Sequence, residues 1–159
     1  MRPMKHAKFF ARDDRGQAAV EFALMTVFLV LLFVSMIEIT MMMYTYIVLA
    51  DSAKEGVRYA IVHGSANVSP SGPTAAALAS PPCTASSANV GNVQTAARNY
   101  AGASLHDKTQ VTVNVCYFDG DNQAPHRVAV AVAYGYQPFF GLGWPTVTVH
   151  AAAQGRIVF

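Results

Sequence analysis

Charge is what this sequence has least of. Only 13% of its residues are charged, against about 25% in an ordinary soluble domain. No charged residue occurs from Phe22 to Ile37, and no proline or glycine from Gln17 to Lys54. The net charge of +2 gives no basis for bulk nucleic-acid binding, so no nucleic-acid partner is expected. Catalytic signatures are missing too: there is no G-x-S-x-G, no H-E-x-x-H, no P-loop and no C-x-x-C. His63, His106, His126 and His150 are scattered without ligand spacing. Asp119-Gly120-Asp121-Asn122 lacks the remainder of a calcium loop and reads as a turn. No catalytic residue, cofactor or metal is therefore expected, and a membrane-tethered enzyme has no motif behind it. Cysteine is nearly absent, with Cys83 and Cys116 alone.

What is present in quantity is apolar side chain, 53% of the chain. It is concentrated between Arg15 and Ala50, where only Glu21 and Glu38 interrupt an uncharged run. A bilayer core about 30 Å thick needs roughly 20 mostly apolar helical residues, and the segment from Ala18 to about Ile39 meets that need. The leader before it carries Arg2, Lys5, Lys8, Arg12 and Arg15 against Asp13 and Asp14. After Ala50 the charges of Asp51, Lys54, Glu55 and Arg58 cancel. By the positive-inside rule the leader stays in the cytoplasm and the remainder lies outside. A cleaved secretory signal fits poorly, because its apolar region spans about 7–15 residues and ends at a small-residue site.

The organisation expected is a basic leader over 1–16, a helix over 17–62 that is transmembrane in its first half, and an extracytoplasmic head over 63–159. His63-Gly64 supplies the helix stop. A helix of that length reaches roughly 70 Å, more than a bilayer needs, so its second half must pack on the head or on neighbours. Asp51 with Lys54, and Glu55 with Arg58, are spaced to pair on one helix face. Gly56 costs about 1 kcal/mol against alanine in a helix interior, which points to a close packing contact there. Met36, Met41, Met42 and Met43 read as lipid-facing or packing residues.

Ser65 to Asn92 is rich in Ser, Ala, Pro and Gly and reads as a loop, with a short helical turn at Thr74 to Ala79. Val90 to Ala101 places Val90, Val93, Ala97 and Tyr100 at helical spacing. The period then changes to two. Val111, Val113, Val115 and Tyr117 alternate, as do Val128, Val130, Val132 and Tyr134, and then Val147, Val149 and Ala151. Three antiparallel strands behind a long helix give an α+β head. Three strands alone are marginal and need a helix face to close the core. The link from Gln137 to Pro145 is unusually apolar. It reads either as a loop folded over the end of the sheet or as a surface for a partner subunit or membrane.

The two cysteines fall outside the cytoplasm on this topology, where disulfides persist. An internal Cys83–Cys116 bridge would pin the proline-rich loop to the first strand. Free thiols and a bond between subunits are the other readings.

The junction Arg15-Gly16-Gln17-Ala18-Ala19-Val20-Glu21-Phe22 sets a glycine between a basic leader and an apolar helix, with an acid shortly after it. Such a junction resembles a type IV prepilin site. With Glu38 and Glu55-Gly56-Val57-Arg58 added, the stretch from about Gly16 to Ala60 resembles the TadE-like pseudopilins of tight-adherence (Flp-type) pilus systems. The resemblance implies cleavage after Gly16 by a prepilin peptidase, which leaves Gln17 as the new N-terminus. It also implies a bacterial inner-membrane protein, single-pass, that takes part in pilus assembly, and that after processing either joins the pilus, primes its assembly or stays in the membrane. Its partners would be membrane lipid, the prepilin peptidase, other pilin or pseudopilin subunits and assembly proteins. Glu21 and Gln17 share a helix face, so Glu21 would answer the ammonium freed at Gln17, its own or a neighbour's. The plain alternative is a carboxylate that snorkels to the headgroups. Glu38 lies roughly 25 Å further along the helix, where it is a solvated interfacial carboxylate or a partner contact. A single-span envelope protein that binds another component of a secretion or assembly machine, and is never processed, is the other reading of the whole chain.

Overall fold

Helix α1 runs from Asp14 to Val62 without a break. The computed structural model describes residues 14–75, 78–141, 143 and 145–159. Most of the leader, with Arg2, Lys5, Lys8 and Arg12, lies outside them. The chain divides into two compact units, residues 1–37 and 38–159. The second half of α1 thus belongs to the head's unit, and the boundary falls at Ile37 and Glu38, not at the helix end.

In the first unit α1 carries no charge from Phe22 to Ile37, and every residue there is exposed except the half-buried Val34 and Ser35. This is the pattern of a helix solvated by lipid rather than by a protein core. It is long and apolar enough to cross a membrane once. The hydroxyls inside the run turn back onto their own helix. Thr26 donates to the Phe22 carbonyl and Ser35 to the Leu31 carbonyl, each at 2.9 Å. Polar atoms in hydrocarbon need such internal partners.

In the second unit, α1 turns one face inward. Leu49, Ala53, Val57 and Ala60 are buried at helical spacing. Helix α2, Gly91–Gly102, packs Val93, Ala97 and Ala101 beside them. The sheet is an antiparallel meander of β1 (Thr112–Tyr117), β2 (Arg127–Tyr136) and β3 (Val147–Arg156) in the order β1-β2-β3. Val113 faces Val132, Val115 faces Val130 and Tyr117 faces Val128, so the valine and tyrosine alternation is the inner face. The expected α+β architecture is the observed one.

Three expectations need correcting. Tyr100 is exposed and Ala101 takes its place in the core. Both residues are compatible with a helical period, and it is the smaller one that faces the core. Val147 is exposed, because the sheet extends past the core at that end. Thr74 and Ala75 form a bend and residues 78–80 are not helical, while 76 and 77 lie outside the described residues.

Gly56 marks that close approach. A β-carbon built there would meet Val130 Cγ1 at 3.1 Å and Ala97 Cβ at 3.3 Å. The neighbouring Ser52 hydroxyl donates to the Ala97 carbonyl at 2.8 Å. Small residues thus bring α1, α2 and β2 into contact. Gly56→Leu is expected to destabilise the head by about 1–3 kcal/mol through overpacking. Gly56→Ala should be much milder, because its helix-propensity gain offsets the crowding. Chemical denaturation of the two variants in detergent, followed by circular dichroism, checks this order.

The paired charges also form. Lys54 meets Asp51 at 2.9 Å and Arg58 meets Glu55 at 3.6 Å. In the turn between β1 and β2, the Arg127 guanidinium donates to Asp119 at 2.7 Å and holds its carboxyl down to about 2.

Candidate functional site

Two carboxylates interrupt the apolar half of the sequence, and they end in different surroundings. Glu21 is exposed, and its Oε1 accepts from Gln17 Nε2 at 3.1 Å, one helical turn back. Gly16 is exposed as well, and a β-carbon there would touch nothing within 4 Å. Gly16, Gln17 and Glu21 therefore lie close together on an accessible stretch of α1. The helix already includes Gly16, so the glycine is not a helix break.

Glu38 is buried, at 4% exposure. Its Oε2 accepts from the Tyr136 hydroxyl at 2.8 Å, and its Oε1 accepts from the Phe140 backbone N–H at 2.8 Å. Tyr136 ends β2, and Phe140 lies in the apolar link that follows. A small cavity of about 60 Å³ beside the carboxylate is lined by Ile39, Met42, Pro138, Pro145 and Val147. Burial, with the Glu38 carboxylate alongside, pushes the Tyr136 phenol up to about 12. Within its own chain Glu38 is thus satisfied by neutral donors, so of the two readings of its position the solvated carboxylate is not the one observed. The sequence held no signal for this, because the donors lie 98 and 102 residues downstream.

Cys83 and Cys116 form a disulfide with Cα atoms 5.8 Å apart. It brings the loop along the outer edge of β1. There the Ser87 N–H donates to the Val115 carbonyl at 2.8 Å. The Val115 N–H donates to Ser86 Oγ at 3.2 Å, and the Tyr117 N–H to Ser87 Oγ at 3.1 Å. The loop meets the hydrogen-bonding needs of an edge strand that sequence alone leaves open.

Among the described residues no group of histidines, cysteines and acids could hold a metal ion.

The decisive stretch is the one that begins at the glycine. Residues 16–58 match the TadE-like protein family. The TadE-like segment starts at Gly16, contains Glu21 and Glu38, and ends on the Glu55-Gly56-Val57-Arg58 run. It covers the whole exposed apolar run and the first turns of α1 that pack in the head. No curated protein and no solved structure matches the chain. The family associates the TadE-like segment with tight-adherence pilus components, and its one apolar helix fits a single-pass membrane protein.

Proposed function

We propose that this chain is a minor pilin or pseudopilin of a tight-adherence pilus, processed by a prepilin peptidase after Gly16. In this reading its head lies outside the cytoplasm of a bacterial inner-membrane protein, and its partners are other pilin subunits and assembly proteins. The observation that carries the reading is the TadE-like match that opens on Gly16, at an exposed glycine followed by an apolar helix. Its one chemical event is to serve as a peptidase substrate.

Cleavage turns the Gln17 nitrogen into an ammonium. Glu21 already reaches back to the Gln17 side chain, so a cation at this position has a carboxylate one turn away. In hydrocarbon an unpaired carboxylate costs at least about 2.5–3.5 kcal/mol at the bilayer centre. A neighbour's ammonium would supply the missing charge and fix the axial register of two helices.

Glu21→Gln tests this. The amide removes the charge and lowers the insertion cost, so failed insertion cannot explain a defect. The variant should insert normally but fail to support pilus assembly and surface adhesion in cells that lack the wild-type gene. Assembly and adhesion at wild-type levels would overturn the pairing role.

A further inference from the structure

The link after β2 presents aromatic side chains to the outside, although its backbone is tied down. Phe139 is 76% exposed and Phe140 is 41% exposed. The two rings pack edge to face at 5.2 Å. The Phe140 N–H is fixed on Glu38, as is the Tyr136 hydroxyl that precedes the link. A segment held by a buried carboxylate gains nothing in water from two exposed phenylalanines. Such a patch marks a surface that is covered when the protein is in place.

The anchor says what covers it. Glu38 follows directly on the uncharged run from Phe22 to Ile37, and exposed apolar side chains continue past it at Ile39, Met41, Met43 and Tyr44. From Ala18 to Glu38 the helix rises about 30 Å, the thickness of a hydrocarbon core. Phe140, bonded to Glu38, is therefore held at the level where α1 leaves the hydrocarbon. Charge agrees with this placement. From Val128 to Gly155 there is no Asp, Glu, Lys or Arg. Neither strand end nor link offers a group that would resist entry into the interface.

We infer that Phe139 and Phe140 form a second membrane contact, seated in the headgroup and acyl boundary of the leaflet at which α1 emerges. Aromatic and apolar side chains on interfacial segments bury roughly 5–10 Å into that boundary. The contact fixes the tilt and rotation of the head on the bilayer, which a single helix cannot do alone. Glu38 acts as the positioning residue: it sets the height of the link by accepting from both its neighbours. The inference rests on reading residues 16–37 as the span.

The test is site-directed spin labelling of the full chain in phosphatidylcholine–phosphatidylglycerol vesicles, with the native disulfide closed. Three single variants carry the label: Phe139→Cys, Phe28→Cys within the apolar run, and Val68→Cys on the exposed loop after α1. Collision rates are measured with oxygen, which partitions into lipid, and with a water-soluble nickel chelate. At Phe139 the oxygen-to-nickel ratio should be several-fold higher than at Val68 and approach that at Phe28. A water-like ratio at Phe139 beside a lipid-like ratio at Phe28 would overturn the contact and leave the span intact. Low collision rates with both reagents at Phe139 would mean that protein, such as a second copy, covers the site, and would also overturn it. A water-like ratio at Phe28 would overturn the span and the contact together. Phe139 is mostly exposed, so its replacement should leave folding intact.

Discussion

Removal of both cysteines, as Cys83→Ala with Cys116→Ala, should cost the head about 4 kcal/mol in the chain-entropy account of disulfides. The bond closes a loop with a sequence separation of 33, which holds α2 and most of β1. For a head of this size, each kcal/mol shifts the melting temperature by about 4–8 °C, so a fall on the order of 20 °C is expected. A structural consequence goes with it. Segment 84–87 is what occupies the outer edge of β1, through Ser86 and Ser87. Freed from Cys116 it would leave that edge open to pair with other chains. Thermal melts in detergent, with and without reductant, check both effects. Wild-type protein in reductant should melt like the double variant and aggregate more readily. Equal melting temperatures would mean that the bond does not constrain the loop.

Tyr117→Ala is expected to destabilise by about 3–5 kcal/mol, as truncation of a fully buried aromatic does. Tyr117 is wholly buried at the end of β1. Its ring fills the space over Gly72, where a β-carbon would meet the ring at 2.5 Å. Gly72 has a φ of 102°, a conformation that glycine adopts without strain. The Tyr117 hydroxyl donates to the Ser71 carbonyl at 3.2 Å. That carbonyl also accepts from Asn122 Nδ2 at 3.1 Å. Tyr117→Phe leaves the carbonyl one donor and keeps the ring, so it should cost only about 1 kcal/mol. Denaturant titration of the two variants separates packing from hydrogen bonding. A phenylalanine variant as unstable as the alanine variant would show that the hydroxyl, not the ring, holds this corner.

The elements legible in the sequence were those set by local period. The valine alternation in β1 and β2 needed no tertiary information, because one face of each strand is buried. Val62 ends α1 where His63-Gly64 stops it. Gly56 was readable as a contact because a glycine inside a helix has a cost that packing must offset. What the sequence does not reveal depends on residues far apart in it. Glu38 carries no mark of burial in its own surroundings, and Tyr136 and Phe140 reach it only through the fold. The choice of Ala101 over Tyr100 is set by how α2 is turned toward the core, which helical period alone cannot tell. The sealing of β1 by Ser86 and Ser87 comes from a loop with no periodic pattern. The proximity of Gly16, Gln17 and Glu21 is legible for the opposite reason: they lie within two turns of one helix.

The most direct test of the processing that this reading proposes is the intact mass of the chain beside an active prepilin peptidase. Co-expression should remove residues 1–16 and leave Gln17 as the N-terminus. Gly16→Arg should leave the chain at full mass, because a long side chain then occupies a position that is open in the native helix. A full-length mass for the native chain, with the peptidase shown to be active on another substrate, would contradict the account and favour an unprocessed single-span protein.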